Sequence, residues 1–391
     1  MDILTRYNAI KAEKLNIDAT RGKPSPQQVA ISHGVLAALE SYTSDSGIDT
    51  LNYGGNDGLP EMKKLFADLL DVKLEHVIVG GNASLQIMFD TVATLVFSGM
   101  WVAGKSKVIC PSPGYDRHFA ICEYFNLEML TVPMTEAGPD MDAVELLAKD
   151  PDVVGIWCVP VFSNPQGFVY SDETVLRMAS MPTANENFKI LWDNAYTIHH
   201  FHGERPVIPN ILTTCERNGY AMRPIMFTSF AKITIPGGAV ACMAANPACL
   251  EVFRKRINVQ TIGPDKVNQL RHVRYFKNVA DIEAHMKKQA EIMRPKFQLV
   301  VEEFAKHLPQ AGAKFTSPNG GYFVAVETQP GKARRVQELC KDAGVLITDA
   351  GAVFPYGNDP SDSHLRFAPS FLSMTELERA VEVFCLAVQL A

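Results

Sequence analysis

The sequence lacks the features that mark several large classes of protein. No run of about 18 apolar residues occurs among its 391 residues, so we expect no membrane-spanning helix. The opening segment, MDILTRYNAIKAEKLNID, mixes charges with apolar residues and contains no apolar signal-peptide segment. Asp and Glu (43) outnumber Lys and Arg (37), and no basic stripe marks a nucleic-acid-binding surface. These absences predict a cytoplasmic protein that contacts neither membrane nor nucleic acid.

Cysteine pairs at metal-binding spacing are also missing. The eight cysteines are scattered, mostly inside apolar runs, and form no CxxC motif: Cys110, Cys122, Cys158, Cys215, Cys242, Cys249, Cys340 and Cys385. We interpret them as reduced core thiols and not as a disulfide framework or a zinc site. The HHFH segment at 199–202 has no accompanying acidic or cysteine ligands, so we predict no metal site and place these histidines in a loop at a polar active-site rim.

What the sequence does contain is an alternation of strand-like and helical patterns. The strand-like runs are continuously apolar, as in HVIVGG, VVGIWCVP and PIMFTSF, which favours a mainly parallel sheet covered by helices on both faces. A helical segment follows from Lys266 to His307, interrupted only by Pro295, and the texture then becomes richer in short strands. We predict an α/β fold with a large domain at 45–289 and a smaller α+β domain formed by 1–44 and 290–391. The last helix has Ser373 or Thr375 as its predicted N-cap.

Polar residues follow the predicted strands at their carboxyl ends. They are Asn82, Ser84, Tyr115, Asn164, Asp193, Tyr196, Ser229 and Lys232. In an open α/β sheet this edge is where ligands bind. We therefore expect these side chains to share one site.

Two of these residues suggest a specific chemistry. Lys232 stands alone among apolar residues in TSFAKITIPGG, where a lowered pKa would make its amine nucleophilic toward an aldehyde. The alternative is a lysine that only extends its amine to solvent. Asp193 ends an apolar strand in ILWDNAY, where it could keep the ring nitrogen of pyridoxal phosphate (PLP) protonated or could cap the following turn.

The remaining candidates each have a structural alternative. Asn164 in SNPQG could reach the oxygen of that ring or could only form a turn. Tyr115 in PSPGYD could stack on the ring or could only pack. The GGNASL turn at 80–85 could hold a phosphate at a helix N-terminus or could be an ordinary glycine-rich loop between a strand and a helix. Arg366, inside the apolar run HLRFAPS, could bind a carboxylate with its planar fork or could form an internal ion pair.

Seven motifs in this order resemble the fold-type I PLP enzymes, and specifically the class I aminotransferases. They are NYGGNDGLPEMKKLF, GGNASL, PGYD, SNPQG, DNAY, the Ser-x-x-Lys pair at 229–232, and LRFAPS. TRGKPSP, TIGPDKVNQLRH and HLRFAPSFLS further resemble the MocR-like branch, with its free-standing aspartate aminotransferases. The resemblance covers nearly the whole chain. It implies a seven-stranded, mainly parallel sheet in the large domain.

The resemblance also assigns roles around the cofactor ring. Lys232 would bond to the PLP aldehyde and then shuttle a proton, while Asp193 would pair with the ring nitrogen. Tyr115 would stack on the ring and completes the implied catalytic set. Tyr196 and Asn164 would hold the ring oxygen, with Asn164 also on the substrate side.

Phosphate and substrate contacts are implied in the same way. The phosphate would be held by Asn82, Ala83, Ser84 and Ser229. Tyr53 would reach the phosphate of a neighbouring subunit, which implies a homodimer with shared active sites. Arg366 would bind the substrate α-carboxylate, and Gly22 would lie beside the substrate. Many relatives have a phosphate-binding arginine where this chain has Val240, so the phosphate would depend on backbone amides, hydroxyls and the partner chain.

The implied reaction is transfer of an amino group from an L-amino acid, aspartate in this branch, to 2-oxoglutarate by a ping-pong mechanism. The cation for a distal carboxylate is left open among Arg21, Lys23, Arg117 and Arg223. Aromatic or 2-aminoadipate-type donors also stay open. One alternative function is a PLP-dependent β-eliminating lyase. Another is a non-catalytic PLP-binding amino-acid sensor, which the net charge of −6 and the early start of the resemblance, near residue 20, argue against.

Overall fold

The computed structural model describes residues 2–391, which form helices and strands in alternation. The helices are α1 Ile3–Ala12, α2 Pro26–Ala30, α3 Pro60–Leu70, α4 Ser84–Phe97, α5 Asp116–Tyr124, α6 Met141–Leu147, α7 Asp172–Ser180, α8 Ile211–Arg217, α9 Pro247–Gln260, α10 Lys266–Tyr275, α11 Val279–His307, α12 Ala333–Asp342 and α13 Met374–Leu390. The strands are β1 Ile17–Ala19, β2 Val77–Val79, β3 Lys107–Ser112, β4 Glu128–Thr135, β5 Gly138–Pro139, β6 Val153–Cys158, β7 Lys189–Asp193, β8 Pro224–Ser229, β9 Ala241–Ala245, β10 Lys314–Phe315, β11 Val324–Glu327, β12 Val345–Ile347 and β13 His364–Phe367.

One large sheet organises the first two thirds of the chain. Its strand order is β2-β9-β8-β7-β6-β3-β4-β5, and the pairs from β8 through β4 are all parallel. Strand β9 is antiparallel to both of its neighbours, so β2 runs in the same direction as β8. The predicted mainly parallel sheet is confirmed, with seven strands plus the two-residue strand β5 at the edge.

Both faces of this sheet are buried. Successive residues of a strand point to opposite faces, and the core clusters follow that alternation. In β7, Ile190 and Trp192 pack in one cluster with helices α3, α7 and α8, whereas Leu191 packs in another with α4 and α5. The continuous apolar runs of the sequence are therefore strands covered by helices on both sides.

The carboxyl ends of the parallel strands meet at one edge of the sheet. Strand β3 leads to Tyr115, β6 to Asn164 and β8 to Lys232, while β7 ends at Asp193 itself. Strand β2, which shares their direction, leads into the turn before α4. The polar residues that follow the strands are thereby brought to the same edge.

A separate hydrophobic cluster joins the N-terminal segment to the last third of the chain. It combines α1, β1, α12 and α13 with the antiparallel sheet β10-β11-β13, and β1 pairs in parallel with β12. Helix α11 crosses between the clusters, because Met286 packs with the large sheet and Phe297 packs with the C-terminal cluster. The change from one cluster to the other along α11 is consistent with the predicted boundary at 289/290. The domain boundaries themselves stay a prediction.

The long helical segment differs from the prediction. It is not interrupted at Pro295, which lies inside α11, but between Tyr275 and Val279. Asn278 caps α11 by accepting a hydrogen bond from Asp281 N, and Phe276 turns into the core at 2% exposure. The break is therefore made by a cap and a buried aromatic residue.

Other sequence predictions concern caps and thiols. Ser373 is the N-cap of α13, where it forms a capping box with Glu376. All eight cysteines are buried and free. Among residues 2–391, no helix combines the length and the apolar character needed to cross a membrane.

Candidate active site

A buried carboxylate lies at the end of β7. Asp193 is 2% exposed, and the alternation along β7 directs its side chain toward α5. His118 on α5 donates a hydrogen bond from Nε2 to Asp193 Oδ2 at 3.2 Å and stacks on Trp157, with centroids 4.1 Å apart. Within residues 2–391, the other carboxylate oxygen, Oδ1, has no hydrogen-bond partner. A buried acceptor of this kind suits a positively charged donor.

The amine of Lys232 faces the same region. Lys232 ends a short 3₁₀ turn at 230–232 that directly follows β8. Its Nζ lies 4.8 Å from the centroid of the Tyr196 ring. Burial lowers the pKa of this amine, and the negative charge of Asp193 opposes the shift. A lowered pKa increases the fraction of neutral, nucleophilic amine at neutral pH.

The backbone of Lys232 is fixed by two buried rings. His199 Nε2 donates to the Lys232 carbonyl oxygen at 3.2 Å, and the Tyr322 hydroxyl donates to the same oxygen at 3.4 Å. Burial lowers the pKa of His199 to about 3, so the ring is neutral at physiological pH. His199 is 4% exposed and is not the rim residue that the sequence predicted.

Two tyrosines line the space around these groups. Tyr196 is 3% exposed and lies close enough to Tyr115 and Asp193 to be affected by their charges. Tyr115 meets the edge of the His118 ring, with centroids 4.9 Å apart. Burial is the largest cause of the raised pKa of both phenols, and Asp193 adds to it. Both tyrosines therefore remain hydroxyl donors at neutral pH.

Arg366 projects from β13 into the same region and is 6% exposed. Its Nη1 donates to Asn164 Oδ1 at 3.2 Å and to Asp116 Oδ1 at 2.9 Å, and its Nε donates to Thr348 Oγ1 at 3.3 Å. The positive charge of Arg366 opposes the rise in the pKa of Tyr115, which places the guanidinium close to that ring. The structure therefore brings Arg366 together with the residues from the large sheet.

Gly22 belongs to the same neighbourhood through Phe323. A Cβ atom on Gly22 would lie 2.5 Å from Phe323 Cζ, so a side chain here would displace the ring. The Phe323 ring in turn lies 4.7 Å from Arg366 Cζ. Glycine at this position therefore lets Phe323 pack beneath the guanidinium.

The proposed phosphate contacts lie around the start of α4. Ala83 is the N-cap of this helix and Ser84 its first residue, while Asn82 is exposed. The turn is anchored because Gly80 N donates to Ala241 O and Ala241 N donates to Gly81 O, both at 2.8 Å. Ser229 ends β8, and Val240 is buried in the core at 2% exposure.

Some candidates lie elsewhere. Tyr53 is 79% exposed, so within this chain it does not enter the site. Arg223 lies at the opposite end of β8, where it donates to Met181 O and to Thr183 Oγ1. It is wrong as a candidate for the distal carboxylate, because a strand separates it from the site. The other cations stay candidates: Arg117 Nε lies 3.7 Å from Oδ2 of Asp116, the partner of Arg366, and Lys23 Nζ lies over the Phe371 ring at 3.8 Å.

Sequence reasoning missed the roles of three residues of this site. His118 holds Asp193, His199 holds the backbone of Lys232, and Asp116 pairs with Arg366. His118 and Asp116 lie on α5, directly after Tyr115 in PGYDRH, so their proximity to a predicted site residue was the available signal.

Comparison with known proteins gives one consistent result. The family described as aspartate amino-transferase matches residues 1–391. An aspartate aminotransferase of Corynebacterium glutamicum is 41% identical over 400 residues, covering 100% of this chain and 93% of the relative. The crystal structure of an aspartate transaminase from C. glutamicum superposes with a TM-score of 0.94, at 41% identity, covering 100% of this chain and 94% of that one.

A more distant structure shows the same fold. LysN, an α-aminoadipate aminotransferase from Thermus thermophilus complexed with N-(5′-phosphopyridoxyl)-L-leucine, superposes with a TM-score of 0.79 at 21% identity. The match covers 100% of this chain and 95% of LysN. The predicted fold class is confirmed by these structures.

The charge balance at Lys232 yields a prediction. Asp193 raises the pKa of Lys232, so Asp193→Asn should lower that pKa further and increase the neutral amine at a given pH. The pH dependence of acetylation of the cofactor-free protein, followed by mass spectrometry of the Lys232 peptide, measures this. Half-maximal labelling of Lys232 should lie below the ordinary lysine value of about 10.4 and should move lower in the variant.

Exposed Lys14 serves as the internal control, and its labelling profile should be the same in both proteins. A shift of the Lys232 profile to higher pH in Asp193→Asn would show that the two groups do not interact as the structure indicates.

Proposed function

The chain belongs to the aspartate aminotransferase family and is an aminotransferase, and on that premise we propose that it is a PLP-dependent enzyme that transfers the amino group of L-aspartate to 2-oxoglutarate in a ping-pong reaction. The observation that carries the proposal is the buried, unpaired oxygen of Asp193, in electrostatic contact with a lysine whose pKa is lowered. Family membership supplies the reaction class, and these two groups supply its chemistry.

The described residues fit PLP. Asp193 Oδ1 is the acceptor that a protonated pyridine nitrogen needs, and its position is fixed by the hydrogen bond from His118 to Oδ2. Tyr196 is a hydroxyl donor for the ring oxygen, and Asn164 has its amide nitrogen available because its Oδ1 accepts from Arg366. When bound, the cofactor supplies an electron-accepting ring that stabilises negative charge developing at the substrate Cα.

The start of α4 suits the phosphate group. Asn82, Ala83 and Ser84 precede or begin a 14-residue helix, whose first backbone N–H groups and dipole favour an anion. Ser229 adds a hydroxyl at the end of β8. With Val240 in place of an arginine, we propose that these groups carry the phosphate together with Tyr53 of a second subunit.

Lys232 and Arg366 act on the substrate. Arg366 binds the α-carboxylate and fixes the orientation of Cα, since a guanidinium holds a carboxylate through two parallel hydrogen bonds. Lys232 Nζ would act as the base that takes the proton from the substrate Cα. The hydrogen bonds from His199 and Tyr322 to the Lys232 carbonyl limit the movement of this residue to its side chain.

The substrate assignment rests on the relatives. The C. glutamicum relative carries the name aspartate aminotransferase, and aspartate needs a cation for its distal carboxylate. Arg21, Lys23 and Arg117 remain the candidates within this chain after the removal of Arg223.

We also propose a homodimer with shared active sites. Four large apolar side chains are exposed in neighbouring segments: Leu51, Tyr53, Val259 and Ile262. These segments touch, because Asn56 Nδ2 donates to Asn258 Oδ1 at 2.7 Å. An exposed apolar patch of this kind is typical of a subunit interface.

The central experiment concerns Lys232. The purified protein should show the visible absorbance of lysine-bound PLP, and L-aspartate should remove it. Lys232→Ala should lose this absorbance and all turnover, because it removes both the attachment point and the base. Glutamate formation from aspartate and 2-oxoglutarate measures the transfer, while release of ammonia and pyruvate from an amino acid with a β-leaving group, such as L-cysteine, would identify a lyase instead. Turnover at the wild-type rate in Lys232→Ala would refute the proposal, and a cofactor spectrum without any turnover would favour a sensor.

A second prediction concerns Arg366. Replacing it by alanine removes a charge-assisted contact that contributes roughly 1.5–3 kcal/mol, so KM for aspartate should rise roughly 10- to 150-fold. Steady-state kinetics measure this, with the cofactor spectrum as a control for an intact site. An unchanged KM would assign Arg366 to an internal ion pair only.

A third prediction tests the shared site. Lys232→Ala and Tyr53→Ala should each be inactive or strongly impaired, because each damages both sites of a homodimer. Co-expressed hybrids with one chain of each kind should regain activity, since one site then has Lys232 and the partner's Tyr53 intact. Activity of purified hybrids no greater than that of the two single variants would exclude sharing through Tyr53.

A further inference from the structure

Arg366 already has an anionic partner within this chain. Its Nη1 lies 2.9 Å from Asp116 Oδ1, and this ion pair joins β13 to the first residue of α5. Arg366 is also the residue assigned to the substrate carboxylate. Asp116 and the substrate could therefore compete for the same N–H donors of Arg366. The inference below rests on the proposed function, because it takes Arg366 as the carboxylate receptor.

The hydrogen bonds of Arg366 decide whether Asp116 and the substrate compete. Its guanidinium has five N–H donors. One, on Nε, goes to Thr348 Oγ1, and the two on Nη1 go to Asp116 Oδ1 and Asn164 Oδ1. Only the two donors of Nη2 have no partner among the described residues. A bidentate carboxylate needs donors on two neighbouring nitrogens, so an incoming substrate must take one from a present acceptor.

Burial indicates which acceptor is released. Asn164 is 3% exposed and Thr348 is 8% exposed, so neither can turn to solvent without a loss of packing or an unsatisfied polar group. The side chain of Asp116 is 29% exposed. Asp116 also repels a second carboxylate at the same guanidinium, whereas the neutral amide and hydroxyl do not. Asp116 is therefore the acceptor that can leave.

A second cation is ready to receive the displaced carboxylate. Arg117 Nε lies 3.7 Å from Asp116 Oδ2, and the Arg117 side chain is 49% exposed. A rotation of Asp116 away from Arg366 therefore keeps it beside a positive charge at the solvent-exposed rim. The exchange replaces one ion pair of Arg366 by another and leaves neither cation without a counterion.

We propose that Asp116 tunes the affinity of the site for substrate, as an internal counterion that occupies Arg366 until a substrate α-carboxylate displaces it. A ligand without a carboxylate does not compete for the guanidinium, and the ion pair between α5 and β13 then stays closed. A ligand with an α-carboxylate opens that pair and gains both N–H donors. The displacement of Asp116 is a cost that only a carboxylate ligand incurs, so Asp116 lowers the affinity of Arg366 for the substrate α-carboxylate and makes that contact reversible.

The test is the affinity of the PLP-loaded protein for succinate, a dicarboxylate that has no amino group and cannot react. Asp116→Asn removes the competing charge at nearly constant shape, so calorimetric titration should give a dissociation constant roughly 3- to 10-fold lower than in the wild type. Asp116→Ala also removes the acceptor oxygen and should bind succinate at least as tightly as Asp116→Asn. The KM for aspartate should fall in the same order.

Asp172→Asn is the matched control. Asp172 is exposed and is the first residue of the nine-residue helix α7, just as Asp116 is the first residue of the nine-residue helix α5. The Asp172→Asn substitution removes the same charge and the same favourable interaction with a helix N-terminus as Asp116→Asn. It therefore controls for the effect of net charge and helix capping on succinate affinity. Succinate affinity in this variant should equal that of the wild type.

The sign of the change decides the proposal. Weaker or unchanged succinate binding in both Asp116 variants would overturn it and would make Asp116 a permanent support that orients Arg366. This outcome differs from a failure of the proposed function, which would appear in the wild type as no spectral response to aspartate and no amino transfer. If wild-type protein transfers amino groups and Asp116→Asn binds succinate no better, only the displacement is refuted.

Discussion

The buried carboxylate of Asp193 is the constraint on which the rest of the site depends. A charge at 2% exposure is costly unless its oxygens are paired, and the described residues pair only Oδ2, through His118. The stacking of His118 on Trp157 fixes the direction of that hydrogen bond, so the free oxygen also has a fixed direction. The same charge contributes to the pKa values of Lys232, Tyr115 and Tyr196. One strand-end residue thus adds to, or opposes, the effect of burial on the pKa of each ionisable group around it.

The backbone near Lys232 is held as firmly as the carboxylate. Beyond the contacts of His199 and Tyr322, the carbonyl oxygen of Ile233 accepts from His285 at 2.9 Å and from Gln289 at 3.2 Å. These donors come from α11, so the helix that passes between the two core clusters also fixes the loop of the reactive lysine. Because a base must move a proton at a defined atom, a rigid backbone with a mobile side chain suits its role.

The pattern of apolar strands and intervening helices was enough to predict which residues lie at the same edge of the sheet. Residues after parallel strands converge at one edge whatever the details of packing, so Asp193, Asn164 and Lys232 were predictable as neighbours. The partners of these residues were not, because they depend on which helix face meets which strand end. His118 reaches Asp193 only because α5 packs on the face toward which Asp193 points, and Asp116 reaches Arg366 only because β13 approaches α5.

The position of the helix break between α10 and α11 escaped prediction for a similar reason. Pro295 is the stronger local signal, since proline removes a helical hydrogen bond, but it lies within a helix that packs on both clusters. Asn278 is a weaker signal that gains from the burial of Phe276. Tertiary packing therefore decided the helix boundary, as it decided the partners of the site residues.

The distribution of charge is consistent with the proposed role of Arg366, at 6% exposure, as a reversible receptor for a carboxylate. A buried guanidinium without an anion is unfavourable, so a protein without substrate needs an internal counterion for Arg366. A fully buried carboxylate could not be displaced from Arg366 easily, whereas a fully exposed carboxylate would stabilise the buried guanidinium only slightly. Asp116, at 29% exposure and between Arg366 and Arg117, lies between these limits. Asp193 is the opposite case, since its burial and its hydrogen bond from His118 keep it in place for a partner that stays bound. The difference in burial between these two aspartates thus matches the two proposed ionic contacts, a permanent one for Asp193 and a transient one for Asp116.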